Sequence, residues 1–376
     1  MISLLWPLII AGFALGLDAY VPAGLLPEIA IDLQTSQSMV GLGVALFTAA
    51  YAISAPFMSS FFGGLSTRSA LLLGLGLFTV GNLVTMFAPS LWMLFIGRLM
   101  AGIGAGWYSP LATSCAASMV NIDLRGRALS IILAGLSIGA ALGVPAGLWI
   151  DKIFGWRWTI GLIILLGLVA ITGVAQSPYV FQKGRAFSWK VRFDALCSPF
   201  VLLTLSVTFC TGAASLGLYT YLAKVLFSRH MGDFINIFIW LWGTGGMVGA
   251  LLIGRIIDRY LEPVRATFIL IMLLCVSFIM VEYMNFIWAG IGCFVWGVVG
   301  WASLAPQQHT LVTYSPEHAT VLIAWNASAN YLGGATGSVL GSFNLYTHMP
   351  IYWIPVGAMV VTVVAIFLHL IKNQYT

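Results

Sequence analysis

ILAGLSIGAALGVPAGLWI, residues 132–150, is the stretch whose reading decides the fold. It carries no charge, so it reads as a helix buried in an apolar surrounding. Its glycines Gly135, Gly139, Gly143 and Gly147 recur every four residues and so line one helix face. Such a face lets a second backbone approach closely, the way small-residue stripes pack within a bilayer. A counterpart stands in the second half of the chain. NYLGGATGSVLGS, residues 330–342, repeats the spacing at Gly333, Gly337 and Gly341. Two striped helices at corresponding places imply duplicated halves whose matched helices meet at an interface, the pattern of inverted- or parallel-repeat membrane proteins.

Composition carries this reading to the whole chain. Its 376 residues are 60% hydrophobic and 7% charged, with mean hydropathy +1.00. Soluble domains hold roughly 25% charged residues, so a soluble enzyme, a nucleic-acid binder and a disordered scaffold are excluded. The net charge of +5 says little about partners; in a bilayer, the position of each charge matters instead. Five cysteines, without CxxC spacing and mostly within apolar runs, imply neither a disulfide framework nor a metal site. The first twenty residues lack a basic leader and a small-residue cleavage site, and they read as an uncleaved first span.

A span needs about 20 apolar residues. Twelve runs qualify, near 3–29, 37–64, 69–88, 90–119, 128–150, 157–176, 198–225, 233–257, 263–284, 286–306, 318–345 and 349–371. Backbone satisfaction in lipid makes runs of this length helices. Alternate loops share a side. One side holds eleven basic residues, namely Arg68, Arg125, Arg127, Lys183, Arg185, Lys190, Arg192, Arg255, Arg259, Arg265 and Lys372; the other holds Lys152, Arg157, Lys224 and Arg229. The positive-inside rule places the richer side, and both termini, in the cytoplasm. SPYVFQKGRAFSWKVRF, residues 177–193, is the longest polar segment and follows the sixth span. The expected organisation is therefore a six-helix bundle over 1–176, a cationic cytoplasmic linker over 177–197 that can meet anionic lipid, and a second six-helix bundle over 198–376.

Two short loops echo each other. Gly63-Gly64-Leu65-Ser66-Thr67-Arg68 and Gly254-Arg255-Ile256-Ile257-Asp258-Arg259 share the form G-x-[LI]-x-x-R. These turns resemble the loop signature of the major facilitator superfamily, with Thr67 in place of its usual Asp and the following G-R missing from the first copy. Further matches are closer. FIGRLMAGIGAG, residues 95–106, is similar to the fourth-span motif, with Arg98, Gly102, Gly104 and Gly106 in place. SIGAALGVPAG, residues 137–147, resembles the fifth-span antiporter motif through Gly139, Gly143, Pro145 and Gly147, with Pro145 two residues after Gly143 instead of one. GWRW, residues 155–158, looks like the usual fifth-to-sixth turn. YVPAGLLPEIAIDL, residues 20–33, and WNASANYLGGATGSVLG, residues 325–341, look like the twelve-span drug and metabolite efflux branch, near exporters of arabinose polymers, sugars and purine nucleosides.

The resemblance implies an all-α membrane protein with twelve transmembrane helices in two pseudo-symmetric six-helix bundles. It implies a secondary active transporter working by alternating access, with a small-molecule substrate, protons as coupling ion and no cofactor. It implies gating roles for Gly64, Arg68, Gly254, Asp258 and Arg259, with more of the latch role falling on the second loop. A monomer in the bacterial inner membrane, in contact with lipid but not nucleic acid, completes the expectation. Import or uniport on the same fold is the alternative. No nucleophile motif, metal spacing or G-x-x-x-x-G-K-[ST] supports an enzyme or an ATP-driven pump.

Two charges fall inside spans. Asp18 lies roughly 16 Å and Arg98 roughly 12 Å from the outer end of their spans at 1.5 Å per residue. Intramembrane ionisable residues are functional candidates by default, and a guanidinium keeps its charge throughout. Asp18 is thus expected to carry the coupling proton and Arg98 to tune it, the alternative being a static pair that holds spans one and four. Relatives of the resembled branch tend to place the acid one position later, where this chain has Ala19. Polar residues that could line a cavity are Tyr20, Tyr51, Asn82, Tyr108, Tyr219, Trp242, Asn326 and Asn330. Asn326 and Asn330 share a helix face beside the glycine stripe. An apolar pocket with few polar groups suits a modest, partly hydrophobic ligand.

Overall fold

The computed structural model describes residues 2–61, 66–119, 131–132, 135–177, 196, 198–315 and 318–372. The chain divides into two compact units, Met1–Ser188 and Trp189–Thr376. Within both, the described elements are helices.

Unit 1 runs through α1 (Ile2–Gly24), α2 (Leu26–Asp32), α3 (Gln37–Phe61), α4 (Thr67–Met86) and α5 (Leu91–Ser118). A π-helical turn at Gly139–Gly143 leads into α6 (Val144–Phe154), and α7 (Trp156–Gln176) follows. Here α5 packs on α3 and α4, while α1 packs on the π turn and α7. Unit 2 holds α8 (Pro199–Thr220), α9 (Leu222–Ser228), α10 (Ile235–Arg259), α11 (Pro263–Tyr283), α12 (Phe286–Ala302), α13 (Leu304–Tyr314), α14 (Ala319–Tyr346) and α15 (Trp353–Lys372). In it α8 packs on α14 and α15, and α12 on α10 and α11.

Ten helices among the described residues are long and apolar enough to cross a membrane. The remaining two of the twelve expected spans are α5 and α14, each 28 residues long. They fall short in apolarity, not in length, because α5 carries Arg98 and a run of glycines and α14 carries asparagines, serines and glycines. Exposed Trp92, Trp149, Leu251 and Phe367 are among many large apolar side chains on the outside of the units, as a lipid-facing surface requires.

The repeat extends into fine structure. The first span breaks at Leu25 between α1 and α2, and the corresponding span of unit 2 breaks at Tyr221 between α8 and α9. Each break precedes a helix of 7 residues. Two residues beyond the end of each short helix stands a residue of positive φ, Gln34 at 49° and His230 at 57°.

The glycine stripes serve packing inside a unit. A methyl on Gly139 would collide with the Phe13 carbonyl oxygen of α1, and one on Gly337 with the Ala213 carbonyl oxygen of α8. The first span of each half is therefore the partner of that half's own stripe. The π turn reflects the displaced proline: Pro145 has no N–H to offer the preceding turn, and a wider turn absorbs the lost bond. One charge is placed differently from expectation. Lys372, counted among the loop cations, lies fully buried in the last turn of α15. The interdomain linker expected at 177–197 lies outside the described residues, apart from Ser177 and Leu196.

Candidate functional site

The centre of unit 1 holds a charged cluster. Asp18 is 0% and Arg98 3% exposed, and Arg98 Nη1 donates to Asp18 Oδ1 at 2.7 Å. Arg98 Nη2 also donates to the Asp18 main-chain oxygen at 3.3 Å. Asn82 Nδ2 donates to the other carboxylate oxygen, Oδ2, at 3.2 Å and to the Phe78 carbonyl at 3.1 Å. The Arg98 guanidinium stands 4.3 Å from the centroid of the Phe47 ring, a cation–π contact that a desolvated charge favours. Asp18, Asn82 and Arg98 come from α1, α4 and α5, so the cluster ties three helices together. Asn82 Oδ1 and Arg98 Nε have no hydrogen-bond partner among the described residues. The cluster is thus buried but still offers one acceptor and one donor.

Other expected residues of this half lie nearby or apart from it. The Tyr51 ring is 6.5 Å from that of Phe47, and Tyr20 and Tyr51 are both buried. Tyr108 is buried against Gly74, and its hydroxyl has no partner among the described residues. Gly143, Pro145 and Gly147 are buried along the helix that follows α1's partner stripe.

Unit 2 has no buried charge pair at the matching place. The residue as far before the break at Tyr221 as Asp18 is before Leu25 is Ala214. The residue as far into α12 as Arg98 is into α5 is Cys293. Both are buried. Instead, unit 2 joins three neutral polar side chains. Asn326 Nδ2 donates to Thr208 Oγ1 at 2.6 Å, and Thr208 Oγ1 donates to Gln307 Oε1 at 2.5 Å. Gln307 Nε2 donates to the Ser303 carbonyl at 3.0 Å, which lies at the break between α12 and α13. Asn326 Oδ1 stays without a partner among the described residues. Asn330 is half-buried, its backbone against Gly212 of α8.

Further along α8 in unit 2 lies an aromatic cluster around Tyr219. Tyr219 stands 4.3 Å from Trp242 and 6.3 Å from Trp296, centroid to centroid, and Trp242 stands 6.4 Å from Trp301. Trp296 Nε1 donates to Ser215 Oγ at 2.7 Å. Of the residues in these two clusters, the sequence reading named Tyr219, Trp242 and Asn326 as candidates and did not name Thr208, Gln307, Ser215 or Trp296. Threonine at a four-residue spacing on an apolar helix looks like filler, since its hydroxyl normally bonds its own backbone. A glutamine directly after the end of the run over 286–306 is the one available signal.

The loop motifs divide. Arg68 Nη2 donates to the Ser177 carbonyl at 2.5 Å, covering the C-terminus of α7. Gly64 lies outside the described residues, as does the side chain of Asp258. Arg259 is exposed in the last turn of α10, and Gly254 has open space around it. At the opposite end of unit 1, Arg157 of the GWRW turn pairs with Asp32, and its Nη2 donates to the Ala88 carbonyl at 2.9 Å.

Comparison with known proteins agrees with this architecture. The family model described as Major Facilitator Superfamily matches residues 8–338. The chain is 27% identical over 363 residues to the inner membrane transport protein YdhP of Escherichia coli, covering 96% of this chain and 93% of the relative. It is 29% identical over 264 residues to a chloramphenicol resistance protein of Streptomyces lividans, covering 68% and 67%. The fold is similar to that of the xylose transporter XylE of E. coli in a partially occluded inward-open conformation. That similarity has a TM-score of 0.74 at 15% identity and covers 97% of both chains. The chain belongs to the major facilitator superfamily and is a multi-pass inner-membrane transporter of a small molecule, not an enzyme.

Proposed function

We propose that this transporter exports a partly hydrophobic small molecule in exchange for protons, with Asp18 as the proton-carrying acid and Arg98 as the residue that tunes it. The observation that carries the reading is the fully buried Asp18–Arg98 pair with Asn82 on the second carboxylate oxygen. An ionised pair is costly to bury. When Asp18 is protonated it loses its ion pair, and the bonds that Arg98 and Asn82 make to its carboxyl weaken relative to those they make to backbone carbonyls. The two protonation states therefore favour different packings of α1, α4 and α5, which a coupling site needs. Export is favoured by the fifth-span glycine and proline pattern and by the chloramphenicol resistance protein among the relatives. Unit 2, with its amide and hydroxyl network and its aromatic cluster, supplies neutral contacts to the substrate, and the molecule works as a monomer with both termini in the cytoplasm.

The test is transport in proteoliposomes under an imposed pH gradient, with a panel of drugs led by chloramphenicol, together with sugars, nucleosides and siderophores. The wild type moves at least one of these in proportion to the gradient, Asp18→Glu retains part of that response, and Asp18→Asn moves substrate at a gradient-independent rate. Gradient-driven transport unchanged in Asp18→Asn would refute the role.

A further inference from the structure

A pair of buried basic side chains lies far along the chain from Asp18, in the last turn of α15. His369 and Lys372 stand one helical turn apart, both 0% exposed. Neither ring nitrogen of His369 nor Lys372 Nζ has a hydrogen-bond partner among the described residues. Neither residue takes part in the ion pairs formed there. The nearest described acid along these elements, Glu262, is 71% exposed and turned to Arg265 at 3.2 Å.

Both side chains face the start of another helix. Lys372 Nζ is 5.7 Å from the centroid of Phe200, the second residue of α8. The His369 ring faces the backbone of Val264 in the first turn of α11 without meeting hydrogen-bond geometry, and its centroid is 6.3 Å from that of Phe268. Neither helix is capped by its own side chain. Ser198 before α8 and Glu262 before α11 make no capping bond, and the Ser198 hydroxyl is engaged with Tyr314 Oη at 2.8 Å. A helix start carries about half a positive charge with free amides. The end of α15 offsets part of this with its own negative pole. The Lys372 ammonium and the two helix starts still outnumber it, and the neutral His369 ring adds an N–H donor.

We infer that this end of unit 2 is a binding site for a phosphate-type oxyanion, held by Lys372, His369 and the first-turn amides of α8 and α11, and supplied by the headgroup of an acidic phospholipid. An oxyanion accepts from an ammonium, an imidazole N–H and backbone amides together. The lipid source follows from what surrounds the site. Phe367, Leu370 and Ile371 on the same last turns of α15 are exposed and apolar, as acyl chains beside the headgroup require. Basic residues at the end of a spanning helix are where acidic headgroups gather. The inference stands independently of the role given to Asp18.

The experiment is thermal unfolding and native mass spectrometry of the purified full chain in detergent, with phosphatidylglycerol, phosphatidylcholine or inorganic phosphate added. Phosphatidylglycerol is expected to raise Tm and stay bound where phosphatidylcholine does not. Lys372→Met weakens that apparent affinity at least tenfold, and Lys372→Arg preserves it. Without added anion, Lys372→Met melts no lower than the wild type, since it removes an uncompensated charge. Inorganic phosphate reproducing the full shift at millimolar concentration identifies free phosphate as the source of the same oxyanion. Should Lys372→Met not fold, the wild-type comparison and His369→Gln decide. A wild type indifferent to both phosphatidylglycerol and phosphate overturns the site, as does an equal phosphatidylglycerol shift in the wild type and the variants.

Discussion

Arg98 commits both terminal nitrogens to a single residue, one to the Asp18 carboxylate at 2.7 Å and one to its main-chain oxygen at 3.3 Å. The second bond ties the guanidinium to the backbone of α1 as well as to the carboxylate. Removing one partner of a buried pair leaves the other charge uncompensated, at a cost of about 3–5 kcal/mol. Arg98→Met should therefore lower the denaturation midpoint sharply, and adding Asp18→Asn should recover most of the loss. A double variant no more stable than Arg98→Met would show that packing, not charge, sets the cost. Asn82 plays a smaller part. Asn82→Leu deprives Asp18 Oδ2 of its donor and should cost about 1–3 kcal/mol in the same assay.

At the level of elements, the close approach of α14 to α8 rests on Gly337 and Gly217, whose backbones lie against each other. Gly337→Val should force the two helices apart and reduce the yield of monodisperse protein, whereas the same change at Gly357, which has open space around it, should be tolerated. Hydropathy made the spans readable, and the four-residue glycine period identified α14 and the π-turn helix as packing helices. It could not say against what they pack, because a stripe fixes a face and not a neighbour. The pairing of Asp18 with Arg98 was readable because few charges fall inside spans and the depths of these two agree. The place of Asn82 on that carboxylate was not, since depth alone does not distinguish a residue facing a cavity from one facing an acid. Breaks at Leu25, Tyr221 and Ser303 also escaped, as no glycine or proline stands at the break itself. Lys372 looked like an ordinary terminal cation because its burial depends on α8 and α11, remote in sequence.

Across the whole molecule, the two units share breaks, stripes and helix order but divide their chemistry. Unit 1 buries a charge pair where unit 2 has Ala214 and Cys293, and unit 2 buries the neutral Thr208–Gln307–Asn326 network. Thr208→Val and Asn326→Leu should therefore raise the KM for substrate or change its range by several-fold in proteoliposomes while leaving the dependence on the pH gradient intact. Asp18→Asn should do the reverse. If all three variants moved both quantities together, the division would fail. The same asymmetry reaches into biogenesis. An arginine at mid-span costs about 2.5–3.5 kcal/mol on the insertion scale of the translocon, and α5, which carries Arg98, is one of the two long helices less apolar than the other ten spans. Its entry is then expected to be helped by α1 being already present to offer Asp18 as counter-charge. In nascent chains ending shortly after α5, Asp18→Ala should reduce the fraction of α5 that integrates, a fraction that glycosylation mapping reads directly. The residue proposed to couple transport to protons would thus first act as the docking partner that helps the fourth span into the membrane.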